Sequence, residues 1–158
     1  MSGMERLVGI NGSNAFKSSF YDQEMALQEL YSYESLSSDD WDGYGAAAIN
    51  ERTLDNAVLS LKAMLEGAPA PEICPNPHGT ISFEWSSPRG LAYYEIGETK
   101  FSFFLKLAEG QSIRFEGEVG QIDHLLPMLI ANSLHPKTLV APSITGFHGW
   151  VSQEFAVA

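Results

Sequence analysis

The sequence predicts an α+β fold, a four-stranded antiparallel β-meander with helices packed on one face, and three observations point to it. Between Gly79 and Val119 apolar residues recur with a period of two, broken by turn signals at close spacing. Glu51 to Glu66 carries apolar residues at helical spacing, and a second apolar helical pattern follows the strands at about 123 to 134. A sheet with one apolar face needs a cover, and helices before and after it in sequence can supply one.

Residues 1–20, rich in Gly, Ser and Asn, read as an irregular lead-in with a short strand around Arg6 to Ile10. Met25, Leu27, Leu30, Tyr31 and Tyr33, set among Glu and Gln, predict a helix from Tyr21 to about Leu36 that Ser37-Ser38-Asp39-Asp40 ends. In the next helix Leu54, Ala57, Val58, Leu61, Met64 and Leu65 share a face; Asn50 is placed to cap its start and Gly67 to stop it. Ala68-Pro69-Ala70-Pro71 cannot continue a helix and carries the chain, extended, into Glu72-Ile73-Cys74.

The first predicted strand puts Ile81, Phe83 and Trp85 on one face and Thr80, Ser82 and Glu84 on the other. Ser87-Pro88-Arg89-Gly90 turns it into Leu91 to Ile96, and Gly97-Glu98-Thr99 turns that into a strand with Phe101, Phe103, Leu105 and Leu107 on one side. After Glu109-Gly110-Gln111, Ile113 and Phe115 alternate with Arg114 and Glu116. The outward face is expected to carry Thr80, Ser82, Glu84, Tyr94, Phe104, Arg114 and Glu116, with Arg114 or Lys106 opposite Glu84. In the last helix Leu125, Leu126, Leu129, Ile130 and Leu134 form the apolar face, and Pro127 confines the start to near Asp123 so that the proline stays close to the first turn. Residues 135–158, with Pro136, Pro142 and Gly146-Phe147-His148-Gly149-Trp150, are too apolar for a solvated end and are expected to pack or to bind a partner. The organisation is then a 1–38 extension with a helix, a 39–134 core domain and a 135–158 tail.

At 158 residues and 44% hydrophobic the chain fits one domain with a real core, and nine Phe, six Tyr and three Trp provide bulk for it. Nine basic against twenty acidic residues leave a net charge of -11, which repels nucleic-acid phosphates and anionic membranes. The same charge favours a basic protein partner, such as one whose own nucleic-acid-binding face is positive, although acidity also serves plain solubility. A single cysteine, Cys74, excludes an internal disulfide and a multi-cysteine zinc site and fits a reducing compartment, by default the cytoplasm. The N-terminus lacks a basic-then-apolar leader, and no run of about 18 apolar residues occurs.

The segment Asp39-Asp40-Trp41-Asp42-Gly43-Tyr44-Gly45-Ala46 concentrates three carboxylates, two aromatics and two glycines at the entry of the Glu51 helix. Aromatic rings with polar edges beside charges suit recognition. Asp40-x-Asp42-x-Tyr44-Gly45, with Glu51 at the twelfth position, partly matches a calcium loop, but Tyr44 replaces a ligand; the plainer reading has Asp42 accepting backbone hydrogen bonds while Trp41 and Tyr44 anchor the helix.

This string, followed by Pro69-Ala70-Pro71-Glu72-Ile73 and by Asn76-Pro77-His78-Gly79-Thr80-Ile81-Ser82-Phe83-Glu84-Trp85, resembles a family of small uncharacterised bacterial proteins with a Trp-Asp-Gly-Tyr-Gly-Ala helix entry and a Pro-x-Gly turn leading to a strand that ends in Glu-Trp. The resemblance covers about residues 39–134. It implies a bacterial, cytoplasmic, small α+β protein and supplies no mechanism. His78 stands where that family usually has Asp, so a role needing a carboxylate in that turn does not carry over.

No nucleophile elbow, phosphate loop or paired-histidine helix occurs, His78, His124, His135 and His148 are scattered, and Cys74 between Ile73 and Pro75 reads as packing. We therefore expect a non-enzymatic acidic protein-binding module of the immunity, antitoxin or anti-defence kind, without cofactor or metal, that inhibits a basic or nucleic-acid-binding partner. The expected partner-binding residues are Asp39, Asp40, Asp42, Tyr44, Glu84, Phe104 and Trp150, with the loop lying near the Pro77-His78-Gly79 turn. Two alternatives stay open: a small hydrolase-like enzyme around Asp40, Asp42, His78 and Glu84, and a self-associating protein that adds its Phe147 to Trp150 segment to a neighbour's sheet edge.

Overall fold

A computed structural model describes residues 10–121 and 124–136 of the chain. Helix α1 (Ile10–Ser32) runs into a 3-10 turn (Tyr33–Leu36); α2 (Glu51–Leu65) follows, then strands β1 (Glu72–Pro75), β2 (Ile81–Ser87), β3 (Gly90–Ile96), β4 (Lys100–Leu107) and β5 (Ser112–Glu118), and finally α3 (Leu126–Leu134). The strands pair in chain order, each antiparallel to the next. The α+β class and the meander are as expected, but the sheet has five strands rather than four. The additional one is the stretch after the proline connector. Glu72 to Pro75 has no strand pattern of its own, yet Ile73 falls opposite Phe83 and Cys74 opposite Ser82, so pairing with β2 makes it an edge strand that Pro75 can end.

Two boundaries also differ. α1 begins at Ile10 and not at Tyr21, so residues 10–20 are helical rather than irregular and Ile10 does not end a short strand; the rest of that expected strand, residues 6–9, lies outside the described residues, as does Asp123. α3 begins at Leu126, which places Pro127 in the first turn, where its missing N–H breaks no helical bond.

One face of the sheet is apolar and covered. Ile81, Phe83, Trp85, Ala92, Tyr94, Ile96, Phe101, Phe103 and Leu105 are buried together with Ala26, Leu30 and Tyr33 of the α1 region, Ala57, Leu61 and Met64 of α2, and Leu126, Ile130 and Leu134 of α3. Aromatic rings run across the strands: Trp85 meets Phe83 edge-on at 6.3 Å, Phe83 stacks on Tyr94 at 5.7 Å and Tyr94 on Phe101 at 5.6 Å. Polar atoms entering this core are paired. Trp85 Nε1 donates to the Pro69 carbonyl at 2.7 Å, the Tyr33 hydroxyl to the Ile73 carbonyl at 3.1 Å, and the hydroxyls of Ser60 and Tyr94 meet at 3.1 Å. Asn50 caps α2 as expected, its Oδ1 accepting from Thr53 N at 2.7 Å.

Tyr94 is thus a core residue, not an outward one. Alternation anchored on buried Ile96 puts Ala92 and Tyr94 inside and turns Tyr93 and Glu95 outward. Glu84 has Glu72 and Tyr93 as cross-strand neighbours, whereas Arg114 lies opposite Phe104 and Lys106 opposite Leu91, so the expected pairing of Glu84 with Arg114 or Lys106 does not form. Cys74, expected to pack, is exposed on the edge strand. Among the described residues no helix is long and apolar enough to cross a membrane.

Candidate functional site

Between the 3-10 turn and α2, residues 37–50 form a loop whose shape its own carboxylates hold. Asp39 Oδ1 accepts from Ala48 N at 2.9 Å, Asp40 Oδ1 from Gly45 N at 2.7 Å, and Asp42 Oδ1 from Tyr44 N at 2.8 Å and Ala46 N at 3.1 Å. The backbone closes on itself through Asp40 N to Ala46 O at 2.7 Å and Ile49 N to Leu36 O at 2.9 Å. Asp40 takes a left-handed conformation, φ 62°, which a short polar side chain tolerates better than most, and Gly43 and Gly45 share that region. Trp41 turns its ring nitrogen back to the Ala47 carbonyl at 2.8 Å. Tyr44, expected to help anchor the helix, instead stands 94% exposed.

The loop lies against the β1–β2 turn, as expected: Ala47 N donates to the Pro77 carbonyl at 2.8 Å. At Gly79, φ 85°, a Cβ would come within 2.9 Å of the Ala48 carbonyl oxygen, so the turn needs a residue without one. The start of α2 is tied to the neighbouring β3–β4 turn, where Asn56 Nδ2 donates to the carbonyls of Gly97 and Glu98 at 3.1 and 2.9 Å. One end of the sheet, two of its turns and the acidic loop are therefore joined by hydrogen bonds into a single corner.

These hydrogen bonds fix the carboxylates without neutralising them. The only ion pairs among the described residues are Arg52–Glu98 at 3.9 Å and Arg114–Glu116 at 3.1 Å, so Asp39, Asp40 and Asp42 have no Lys or Arg partner there. The N–H groups of Tyr44 and then Ala46 hold the Asp42 carboxyl below its ordinary range. An unfolded loop would take up the proton first, so this stabilisation is full above the ordinary carboxylate value and is lost as pH falls through the lowered one. Acid titration followed by the Tyr44 and Ala46 amide signals should show one shared step below the ordinary aspartate value, absent in Asp42→Asn. Two unrelated steps would contradict the shared acceptor.

Glu84 and Phe104 sit elsewhere, on the outer face of the sheet. Register aligns Glu72, Glu84, Tyr93, Phe104 and Arg114 in one row across all five strands, and none of the described helices covers it. Tyr93 belongs to this surface, in the phase opposite to the one expected for β3; an apolar Ile96 facing the core is the sequence signal for that phase. Trp150 lies outside the described residues, as does the rest of the Gly146 to Trp150 cluster.

No family model, curated protein or solved structure matches the chain. What the site can do thus rests on its own chemistry. No hydrogen bond or ion pair among the described residues joins Asp40, Asp42, His78 and Glu84, and Glu84 belongs to the sheet row, not the loop corner. The described residues also include no group of three or more His, Cys, Asp or Glu side chains disposed to hold a metal ion; Asp40 and Asp42 aim an oxygen each at backbone N–H groups.

Proposed function

We propose that this chain is a non-enzymatic, acidic protein-binding module of the bacterial cytoplasm, an inhibitor of the immunity, antitoxin or anti-defence kind that occupies a basic site on a partner. One observation carries the reading: three carboxylates with no Lys or Arg partner among the described residues, locked by backbone N–H groups around an exposed Tyr44. A surface whose charges are already fixed loses little entropy on binding, and anionic charge speeds encounter with a cationic site. A nucleic-acid-binding protein offers such a site on its phosphate-facing surface.

The Asp→Asn changes at positions 39, 40 and 42 keep the oxygen that accepts each N–H while removing the charge. Tagged full-length chain should retain a partner from bacterial lysate at low salt and release it at high salt. The triple variant and Tyr44→Ala should each weaken capture about tenfold or more. Retention indifferent to both salt and the charge changes would end this reading.

A further inference from the structure

The two segments that flank the acidic loop, the 3-10 turn before it and the start of α2 after it, also wall a groove of about 720 Å³. Its floor is apolar, built from Ile49, Leu54 and Val58. Its rim is acidic: Glu34 rises from one wall, Glu51 and Asp55 from α2, and no Lys or Arg among the described residues lines it. Large apolar side chains stand at its mouth in water, Tyr31 at 49% and Leu59 at 67% exposure. On α2 Glu51, Asp55 and Leu59 recur every four residues, so two charges and one apolar contact follow a single stripe of the helix.

Apolar floor and anionic rim together select the occupant. A second copy of this chain brings a charge of -11 and is repelled. Residues 137–158 carry one Lys and one Glu, and residues 1–9 one Arg and one Glu, so the side chains of neither segment bring net positive charge. What complements the groove is a cationic amphipathic helix of another protein, with an apolar stripe for the floor and Lys or Arg for Glu34, Glu51 and Asp55. We infer that the groove between the α1 end and α2 docks such a helix. This rests on the binding-module reading and names the kind of element it takes.

The probe is a labelled peptide with Leu and Lys at helical spacing, titrated against the full-length chain by fluorescence anisotropy, beside a peptide of equal charge with every Leu changed to Ser. The Leu/Lys peptide should bind about tenfold more tightly than the Ser/Lys peptide. Leu59→Ser, and separately the pair Glu34→Gln with Asp55→Asn, should each weaken it about tenfold; all three positions are exposed, and circular dichroism of each variant checks that folding is intact. Equal binding of both peptides would overturn the proposal, because the attraction would then be charge alone. So would unchanged binding in the groove variants when the loop Asp→Asn variant loses it, an outcome that leaves the module reading standing. Binding that strengthens about tenfold when residues 137–158 are deleted would make the chain's own tail the occupant and also overturn it. No binding by the wild type refutes the groove, while partner capture from lysate judges the wider reading separately.

Discussion

Replacing Gly90 with alanine is expected to cost about 3 kcal/mol or more of stability, a larger loss than any surface change should give. Gly90 opens β3 at φ 152°, opposite Leu107 of β4. A Cβ there would collide with the Lys106 carbonyl oxygen and stand 2.9 Å from the Leu107 Cα. Those are backbone atoms of a hydrogen-bonded neighbour, which cannot swing aside as a side chain can. Moving them would disturb the adjoining turn, where Ala108 N donates to the Arg89 carbonyl at 2.8 Å and Arg89 Nε to the Ser133 carbonyl of α3 at 2.9 Å. Gly110→Ala is the control: it also has positive φ, 101°, but open space where the Cβ would go, so backbone strain of about 1 to 2 kcal/mol is its whole expected cost. Urea unfolding followed by tryptophan fluorescence compares them. Equal losses in the two variants would show that β4 gives way and that the steric argument is wrong.

The second large effect is alkaline. Burial pushes the Tyr94 hydroxyl up to about 12 from an ordinary 10, with the Ser60 hydroxyl pulling modestly the other way. In the unfolded chain this phenol loses its proton near its ordinary value, whereas in the fold it holds the proton for about two more pH units. The raised value therefore contributes stability that is complete below pH 10 and is lost as pH rises through about 12, some 2 to 3 kcal/mol over the interval. Tyr33 adds in the same direction, since burial and the neighbouring Glu29 raise it as well. Tyr94→Phe should cost about 1 kcal/mol at neutral pH through the lost bond to Ser60, yet decline less steeply in alkali by one proton's worth of slope. Parallel alkaline profiles for wild type and Tyr94→Phe would refute the assignment.

Much of this could be read from the residues because it is local. The Asn50 cap, the apolar stripe of α2 and the turns at Ser87 to Gly90 and Gly97 to Thr99 each depend on side chains within a few positions of one another. The acidic loop was recognised from composition, and its contact with the Pro77 turn followed from helix and strand lying on either side of a short connector. Where the reading failed, a distant partner decided. Glu72 to Pro75 is a strand because β2 presents a free edge to it. Tyr94 lies inside because Ser60, 34 residues earlier in the chain, and the rings of Phe83 and Phe101 receive it, and an aromatic with a polar tip can serve on either face.

The candidate site divides along the same line. Charge, aromatic content and the absence of familiar catalytic motifs are properties of composition, and the sequence alone determined them, together with the α+β class. Only the tertiary structure decided which way each group points: that Asp39, Asp40 and Asp42 turn an oxygen inward to their own loop, that Tyr44 faces water, and that Glu84 and Phe104 share a row with Tyr93 on a different surface. It alone brought Glu34 and Tyr31 across from Asp55 and Leu59. Residue identity sets what a side chain can bond to, but the bonds it makes depend on which donors the packed chain places within reach, and that packing is settled by apolar contacts between segments far apart in sequence.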